Sequence, residues 1–319
     1  MIDISKCEGF ETHRSGWKYA INSLMPIHTS SGILFDDFIE RSHSWNHHHY
    51  YTKTEREVPY KKKWVGFFHI PPNCPTWYDF CHTPQAILQR ETFQASLKNC
   101  LGLFTLTDYL RDFIKDRVDV PVTTVRYPTE LSPEKWTEQK FISNKEKRVI
   151  QLGSFLRESY AIIHLKTEYH KIWFPGNFEF AKYYQRIEET TSTDWGYLDQ
   201  KMDAQVWTPR ERMENETYDE YVAKNISFVK LYDTSANTAI VESIARDAPI
   251  LVNRLPGAEE YLGKDYPLFY NDLDEASRLI RDTDKILEGH YYIKNMDKSF
   301  LEGGEFCSSV RKKVREWRN

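Results

Sequence analysis

The chain has 319 residues, with 43 Lys+Arg against 47 Asp+Glu and a formal net charge of −4. That balance gives no basic footprint for nucleic acid, and the length, at roughly 100–200 residues per domain, favours two domains. Aromatic residues make up 15% of the chain, enough to fill cores and also to serve surfaces that stack on flat ligands or sugar rings.

The chain opens with a short apolar piece, Ile2 to Ile4, and a polar loop, Glu8 to Ser15. No basic segment followed by an apolar run stands there, and no stretch approaches the roughly 18 apolar residues that span a bilayer. Five scattered cysteines, never in a CxxC pair, argue against a disulfide framework or zinc ribbon and for a reduced, cytoplasmic setting. Trp17, Ala20, Ile21, Leu24 and Ile27 share one helix face. Ile33–Phe35 reads as a strand ending at Asp36-Asp37, and His47-His48-His49 as a solvated loop rather than a metal site. Trp64–Phe68 is a continuous apolar run, as expected of a strand buried on both faces, stopped by Pro71-Pro72. A helix from about Pro84 to Lys98 follows, then a strand over Leu101–Leu106. Thr107 or Asp108 caps a helix bearing Tyr109, Leu110, Phe113 and Ile114, and Val120–Val125 closes the half as a strand.

Tyr127–Lys147, rich in charge and carrying Pro128 and Pro133, is the expected linker. The alternation then restarts. Strands are expected at Val149–Gly153, Ile172–Phe174, Asp203–Trp207, Ile226–Tyr232, Pro249–Val252 and Tyr266–Tyr270. Ser154–Leu165 follows the first of these. Short helices are expected around Tyr218–Val222 and Ala239–Ile244, and a longer one over Leu273–Leu287. Such alternation implies α/β architecture: two Rossmann-like domains, 1–130 and 147–296, facing across a cleft at the strand C-terminal ends. The basic end, Arg311 to Arg318, reads as a solvated helix face, preferred over nucleic-acid or lipid binding, with weak peripheral membrane contact left open.

GxxxxGK[ST], strand-linked GxGxxG and GxSxG are all absent, so a P-loop ATPase, a dehydrogenase and an α/β-hydrolase lose support. Four places remain. Ser235, Asn237 and Thr238 open a helix whose N-terminal amides suit an anion, with Glu242 one and a half turns in, able to accept from ribose hydroxyls; a capped helix with an exposed Glu explains the pattern equally well. Arg157, just past a strand end, offers a planar cationic fork for a diphosphate, or is a plain surface Arg. His69 ends a buried strand, where it can donate to a sugar hydroxyl, act as a base, or simply be structural. Glu11, His13 and Arg14 lie in the first loop.

The run Ser235–Asn253, continuing through Leu255-Pro256-Gly257-Ala258-Glu259-Glu260-Tyr261-Leu262-Gly263, resembles the donor half of family-4-like glycosyltransferases of GT-B fold. In that family an E-x7-E pattern ends on a ribose-binding Glu, matched by Glu242; Asp233 lies nine positions earlier, one more than the pattern, and Thr234 holds its place. Arg157 matches the family's Arg after the first donor-domain strand, and Lys166 is a distant stand-in for its partner Lys. Trp64–Pro72 resembles the strand that delivers a histidine to the sugar. The resemblance implies transfer of a sugar from a nucleotide-diphosphate sugar to a glycan, lipid-linked or other hydroxyl acceptor, leaning toward retention. It implies no metal or other cofactor. Arg157, Ser235, Asn237, Thr238 and Glu242 would bind the donor. His69, His13 or Asp36 would act at the sugar or acceptor, and a last helix, about 297–319, would cross back to the first domain. Trp17, Trp45, Trp77 and Tyr78 are candidates for an acceptor platform. A nucleotide-sugar epimerase and a non-catalytic carbohydrate binder of the same fold are the alternatives.

Overall fold

The computed structural model describes residues 1–7, 16–44, 57–132, 134–191, 206–211 and 213–318. Most of the first loop, with Glu11, His13 and Arg14, lies outside the described residues, as do Trp45, His47–His49 and Asp203.

Two parallel sheets form the frame. The first contains β1 (Ile2–Asp3), β2 (Ile33–Asp36), β3 (Trp64–Phe68), β4 (Cys100–Thr105) and β5 (Val122–Thr124), side by side in chain order. The second contains β6 (Arg148–Leu152), β7 (His170–Phe174), β8 (Val206–Trp207), β9 (Ile226–Val229), β10 (Ile250–Asn253) and β11 (Phe269–Tyr270), ordered β11-β10-β9-β6-β7-β8. Read from β8, that is the doubly wound order 3-2-1-4-5-6, with its switch point between β6 and β9.

Strand β3 shows why a continuous apolar run was needed. Its side chains alternate, Val65 and Phe67 entering one core and Trp64 and Phe68 the other, and all four are fully buried. The helices Ile39–His43, Pro84–Leu88, Glu91–Leu97 and Asp108–Lys115 cover the Trp64 face. The Phe67 face is covered by the helix Trp17–Ser23 and by the last helix, Gly303–Arg318, which returns from the far end of the chain. There Trp317 lies over Gly102 of β4, and a Cβ at Gly102 would run into the indole ring. The two-domain α/β fold and the crossing-back helix of the sequence reading are both present.

Several expected elements differ. The helix predicted over Pro84–Lys98 is broken at Gln89-Arg90, where the Arg90 guanidinium turns back to Ser44 and the Cys81 carbonyl. The helix predicted over Leu273–Leu287 divides into Leu273–Leu279 and Thr283–Lys294, because Asp272 and Asp282 each cap a separate start. Tyr266–Tyr270 forms a strand only at Phe269–Tyr270; the Tyr266 hydroxyl instead bridges the amide and carbonyl of Ile250. Ser154–Leu165 is mostly turn, with helix only at Ala161–His164. The linker is ordered: Thr137 caps a helix Glu138–Ser143, and Trp136 and Phe141 are buried against the second domain. Among the described residues no helix is long and apolar enough to cross a membrane.

Replacing Gly102 by Val forces the returning helix off β4. We expect a loss of about 1–3 kcal/mol, the usual cost of overpacking a filled core. Urea unfolding of the variant measures it, and an unchanged midpoint would mean that the helix does not hold that face.

Candidate functional site

At a doubly wound switch point the loops after the two central strands diverge and leave a crevice at the strand C-terminal ends. Here those loops carry Arg157, after β6, and the run Asp233–Asn237, after β9. Gly153 adopts φ +76°, in the left-handed region, and lets the Arg157 side chain fold back over it. The guanidinium is buried. Its Nε donates to the Leu152 carbonyl (2.5 Å), one Nη to the Phe155 carbonyl (2.6 Å) and the other to Asn237 Oδ1 (3.2 Å). Three of its five N–H groups are thus spent on the frame. Burial lowers its pKa to about 10, which leaves it cationic at neutral pH.

Asn237 is also the N-cap of the helix Thr238–Ala245, accepting from the Ala239 amide at 3.0 Å. One side-chain oxygen therefore fixes both the cationic fork and the helix start. The hydroxyl of Tyr218 donates to Glu242 Oε2 at 3.0 Å. Arg157, Thr238, Ala239, Glu242 and Tyr218 share a cavity of about 360 Å³ with Gly153 and the turn Phe174–Phe178 after β7. Four expected residues, Arg157, Asn237, Thr238 and Glu242, are therefore brought together. They are a cation, a helix N-terminus and a carboxylate. Such a set can bind a diphosphate and accept hydroxyl hydrogen bonds.

Ser235 turns the other way. Its hydroxyl meets Thr107 of the first domain at 3.0 Å. Asp233 also faces that domain, accepting from the Asn73 amide (2.7 Å) and the Tyr109 hydroxyl (3.0 Å), whereas Thr234 donates locally to the Ser235 carbonyl. The extra residue between Asp233 and Glu242 is absorbed in this turn, so the acidic group at the cleft is Asp233. Gly257 makes the packing feasible, since a Cβ there would strike the Thr234 carbonyl. Nearby, Glu260 accepts from the Asp108 and Tyr109 amides (2.7 and 2.6 Å) and from Arg126 (2.7 Å), so a carboxylate of the second domain caps a helix of the first.

His69 stands at the exit of β3 on the first-domain side, its ring stacked on Phe38 (4.0 Å between centroids) and edge-on to Trp17 (4.5 Å). Its Nε2 donates to the Asp37 carbonyl at 2.9 Å, which leaves Nδ1 as the acceptor. Burial lowers its pKa to about 3. The ring is therefore a neutral acceptor of hydroxyl hydrogen bonds; donation to a sugar and strong general-base action, both expected from the sequence, do not fit this tautomer and pKa. Asp36 is fully buried and accepts from Ser42, Tyr60 and the Phe38 amide, a structural role rather than an open base. Lys166 pairs with Asp274 on the exterior and is not part of the cavity wall. Trp17 and Tyr78 are 2% and 1% exposed, core anchors rather than an open platform.

Sequence reasoning missed Tyr218, Arg210 at the cavity rim and the Phe174–Phe178 turn. It also missed Glu40, fully buried, whose Oε1 accepts from the His69 and Ile70 amides (2.7 and 2.8 Å). Burial raises its pKa to about 8. Among the described residues no group of three or more His, Cys, Asp or Glu side chains is placed to hold a metal ion.

No protein-family model matches the chain, and no curated protein matches it in sequence. Solved structures do. The α,α-trehalose-phosphate synthase (UDP-forming) of Burkholderia vietnamiensis superposes with a TM-score of 0.54 at 14% identity, over 95% of this chain and 79% of that one. The sucrose-phosphate synthase of Thermosynechococcus elongatus gives 0.61 at 11% identity, over 89% and 73%. HepE of Anabaena, in complex with UDP and glucose, gives 0.58 at 11%, over 79% and 72%. The fold is thus that of the GT-B glycosyltransferases.

A carboxyl whose folded pKa is raised from 4.5 to about 8 holds an extra proton in the native state across that window, so its contribution to stability falls as pH rises through it. Glu40→Gln removes this dependence. Its stability relative to the parent protein should rise between pH 5 and pH 9, at about 1.4 kcal/mol for each pKa unit involved. Denaturant midpoints across that range test it, and parallel pH curves would place the Glu40 pKa near its ordinary value.

Proposed function

We propose that the protein transfers a sugar from a nucleotide-diphosphate sugar to a hydroxyl acceptor. The observation that carries this reading is the buried Arg157–Asn237 hydrogen bond, which joins a cation to a helix N-terminus beside a cavity that Glu242 also lines. In this reading Arg157 and the first-turn amides of the helix Thr238–Ala245 neutralise charge that grows on the leaving diphosphate. A preorganised donor is worth most where charge develops, so protein groups rather than a metal are proposed to do this work. Glu242, held by Tyr218, takes the ribose hydroxyls. In this reading His69 Nδ1 accepts from a hydroxyl of the sugar. Retention of configuration is the favoured outcome, because the leaving diphosphate rather than the weakly basic His69 then receives the acceptor's proton.

The neighbours described above are a UDP-forming synthase, a sucrose-phosphate synthase and a protein in complex with UDP and glucose, which favours transfer over epimerisation and makes UDP the first nucleotide to try. The acceptor is a glycan or a lipid-linked sugar in this reading. The basic outer face of the last helix would make any membrane contact a weak and peripheral one. Five free thiols support a reducing, cytoplasmic setting.

Two measurements test the proposal. A panel of nucleoside diphosphates should include one that raises the melting temperature, since about 2.7 kcal/mol of stabilisation accompanies a ligand at a hundred times its Kd. No shift with any of them sinks the donor site. With the sugar nucleotide so identified, Arg157→Lys keeps a positive charge and loses the planar fork; its kcat should fall about 10²–10³-fold. An unchanged kcat removes Arg157 from the mechanism. Release of an inverted sugar nucleotide without acceptor would instead indicate epimerisation, and binding without turnover a carbohydrate-binding role.

A further inference from the structure

After β3 the chain leaves the first domain and reaches across the cleft. Tyr78, on this crossing segment, is 1% exposed and sits inside the second domain, stacked on Tyr184 (4.8 Å, 8° between planes) with Phe155 and Tyr232 at its edges. Its hydroxyl lies in the turn that carries Arg157. It accepts from the Leu156 amide at 2.7 Å and donates to the Ser154 carbonyl at 3.3 Å. Burial holds the phenol protonated, so the donor is always present.

That turn is not self-sufficient. Leu156 has φ +55°, a left-handed conformation that costs a side-chain-bearing residue free energy, and Gly153 is left-handed as well. Strained backbone persists only where its surroundings over-determine it. Here the surroundings include a hydroxyl from the other domain, which satisfies one buried N–H and one C=O of the turn. Withdrawing it leaves the Leu156 N–H unpaired, at the cost that attends any buried polar group without a partner, while the Ser154 carbonyl keeps only the Arg157 amide (3.3 Å) as its donor. The Phe155 carbonyl, between those two groups, is itself an acceptor for the Arg157 guanidinium. The state of Tyr78 is therefore passed to Arg157 through a single peptide.

We propose that Tyr78 is a positioning residue for the β-phosphate of a nucleoside diphosphate: by bridging Ser154 and Leu156 it aims Arg157, so the anion site is complete only when the crossing segment is docked. This rests on the reading that Arg157 binds the diphosphate. Closure of the two domains and formation of the phosphate site are then one event. The monophosphate, lacking the β-phosphate, does not report on it.

Tyr78→Phe keeps the ring in its aromatic nest and deletes the hydroxyl. Titration calorimetry with UDP and UMP, or with the pair whose diphosphate gives the largest thermal shift, is the test. The variant should bind the diphosphate about tenfold more weakly and the monophosphate within twofold of the parent. In an Arg157→Lys background the same change should add less than twofold. Equal weakening of both nucleotides, no weakening of either, or full additivity with Arg157→Lys would overturn the role of Tyr78 while leaving the donor site intact. A parent protein that binds neither nucleotide overturns the proposed function and this inference together. Should Tyr78→Phe not fold, hydrogen exchange of the parent decides. Peptides containing residues 153–157 and 76–80 should gain protection together with the diphosphate and not with the monophosphate, and protection of only one of them would overturn the coupling.

Discussion

Everything at the crevice depends on how one buried guanidinium is solvated. A cation removed from water needs fixed dipoles around it, and Arg157 finds them in two carbonyls of its own turn and in the Asn237 side chain on the opposite side of the switch point. Because Asn237 also caps the helix Thr238–Ala245, the demand of a single charge aligns the loop after β6 with the helix after β9. The doubly wound strand order supplies the gap, and the charge determines how it is furnished.

The same economy joins the two domains. The backbone groups that stand exposed at the cleft are satisfied from the opposite side. Glu260 takes the first amides of the helix Asp108–Lys115, Asp233 takes the Asn73 amide, and Tyr261 donates to the Leu106 carbonyl while accepting from the Tyr127 amide. Trp77 and Tyr78 sit against Tyr232 and Tyr184. Polar contacts and aromatic packing thus both hold the two domains together.

The sheet framework was largely legible, because parallel strands covered on both faces must be written as continuous apolar runs, as Trp64–Phe68 is. The donor-side residues were legible for a related reason: short polar residues between a strand and a helix have few other uses. What escaped was structure built on buried polar side chains. The helix Phe178–Thr191 turns Ala181, Tyr184, Gln185 and Glu188 inward, and Glu188 is satisfied by the Ser159 amide and the Tyr232 hydroxyl. A face with two polar residues shows no hydrophobic period. The helix Ile39–His43 hides Glu40, Arg41, Ser42 and His43 in the same way. The tautomer of His69 was illegible too, since it follows from a carbonyl, that of Asp37, brought near by the fold rather than by sequence proximity. Tyr78 read as a loop aromatic suited to stacking on a sugar; its burial depends on a second domain that its local sequence does not mention.

The returning helix has a consequence for the order of assembly. The first sheet is synthesised early, yet the face bearing Phe67 and Phe104 is covered by Phe306, Val310 and Trp317, which follow the entire second sheet in the chain. During translation the N-terminal domain therefore emerges with this apolar face covered only in part, by the helix Trp17–Ser23, and the rest stays uncovered until the other domain has been made. The part of the protein that is made first is the part that is finished last. A cell producing it must shield that surface for the duration, and a chain truncated before residue 303 would carry it permanently.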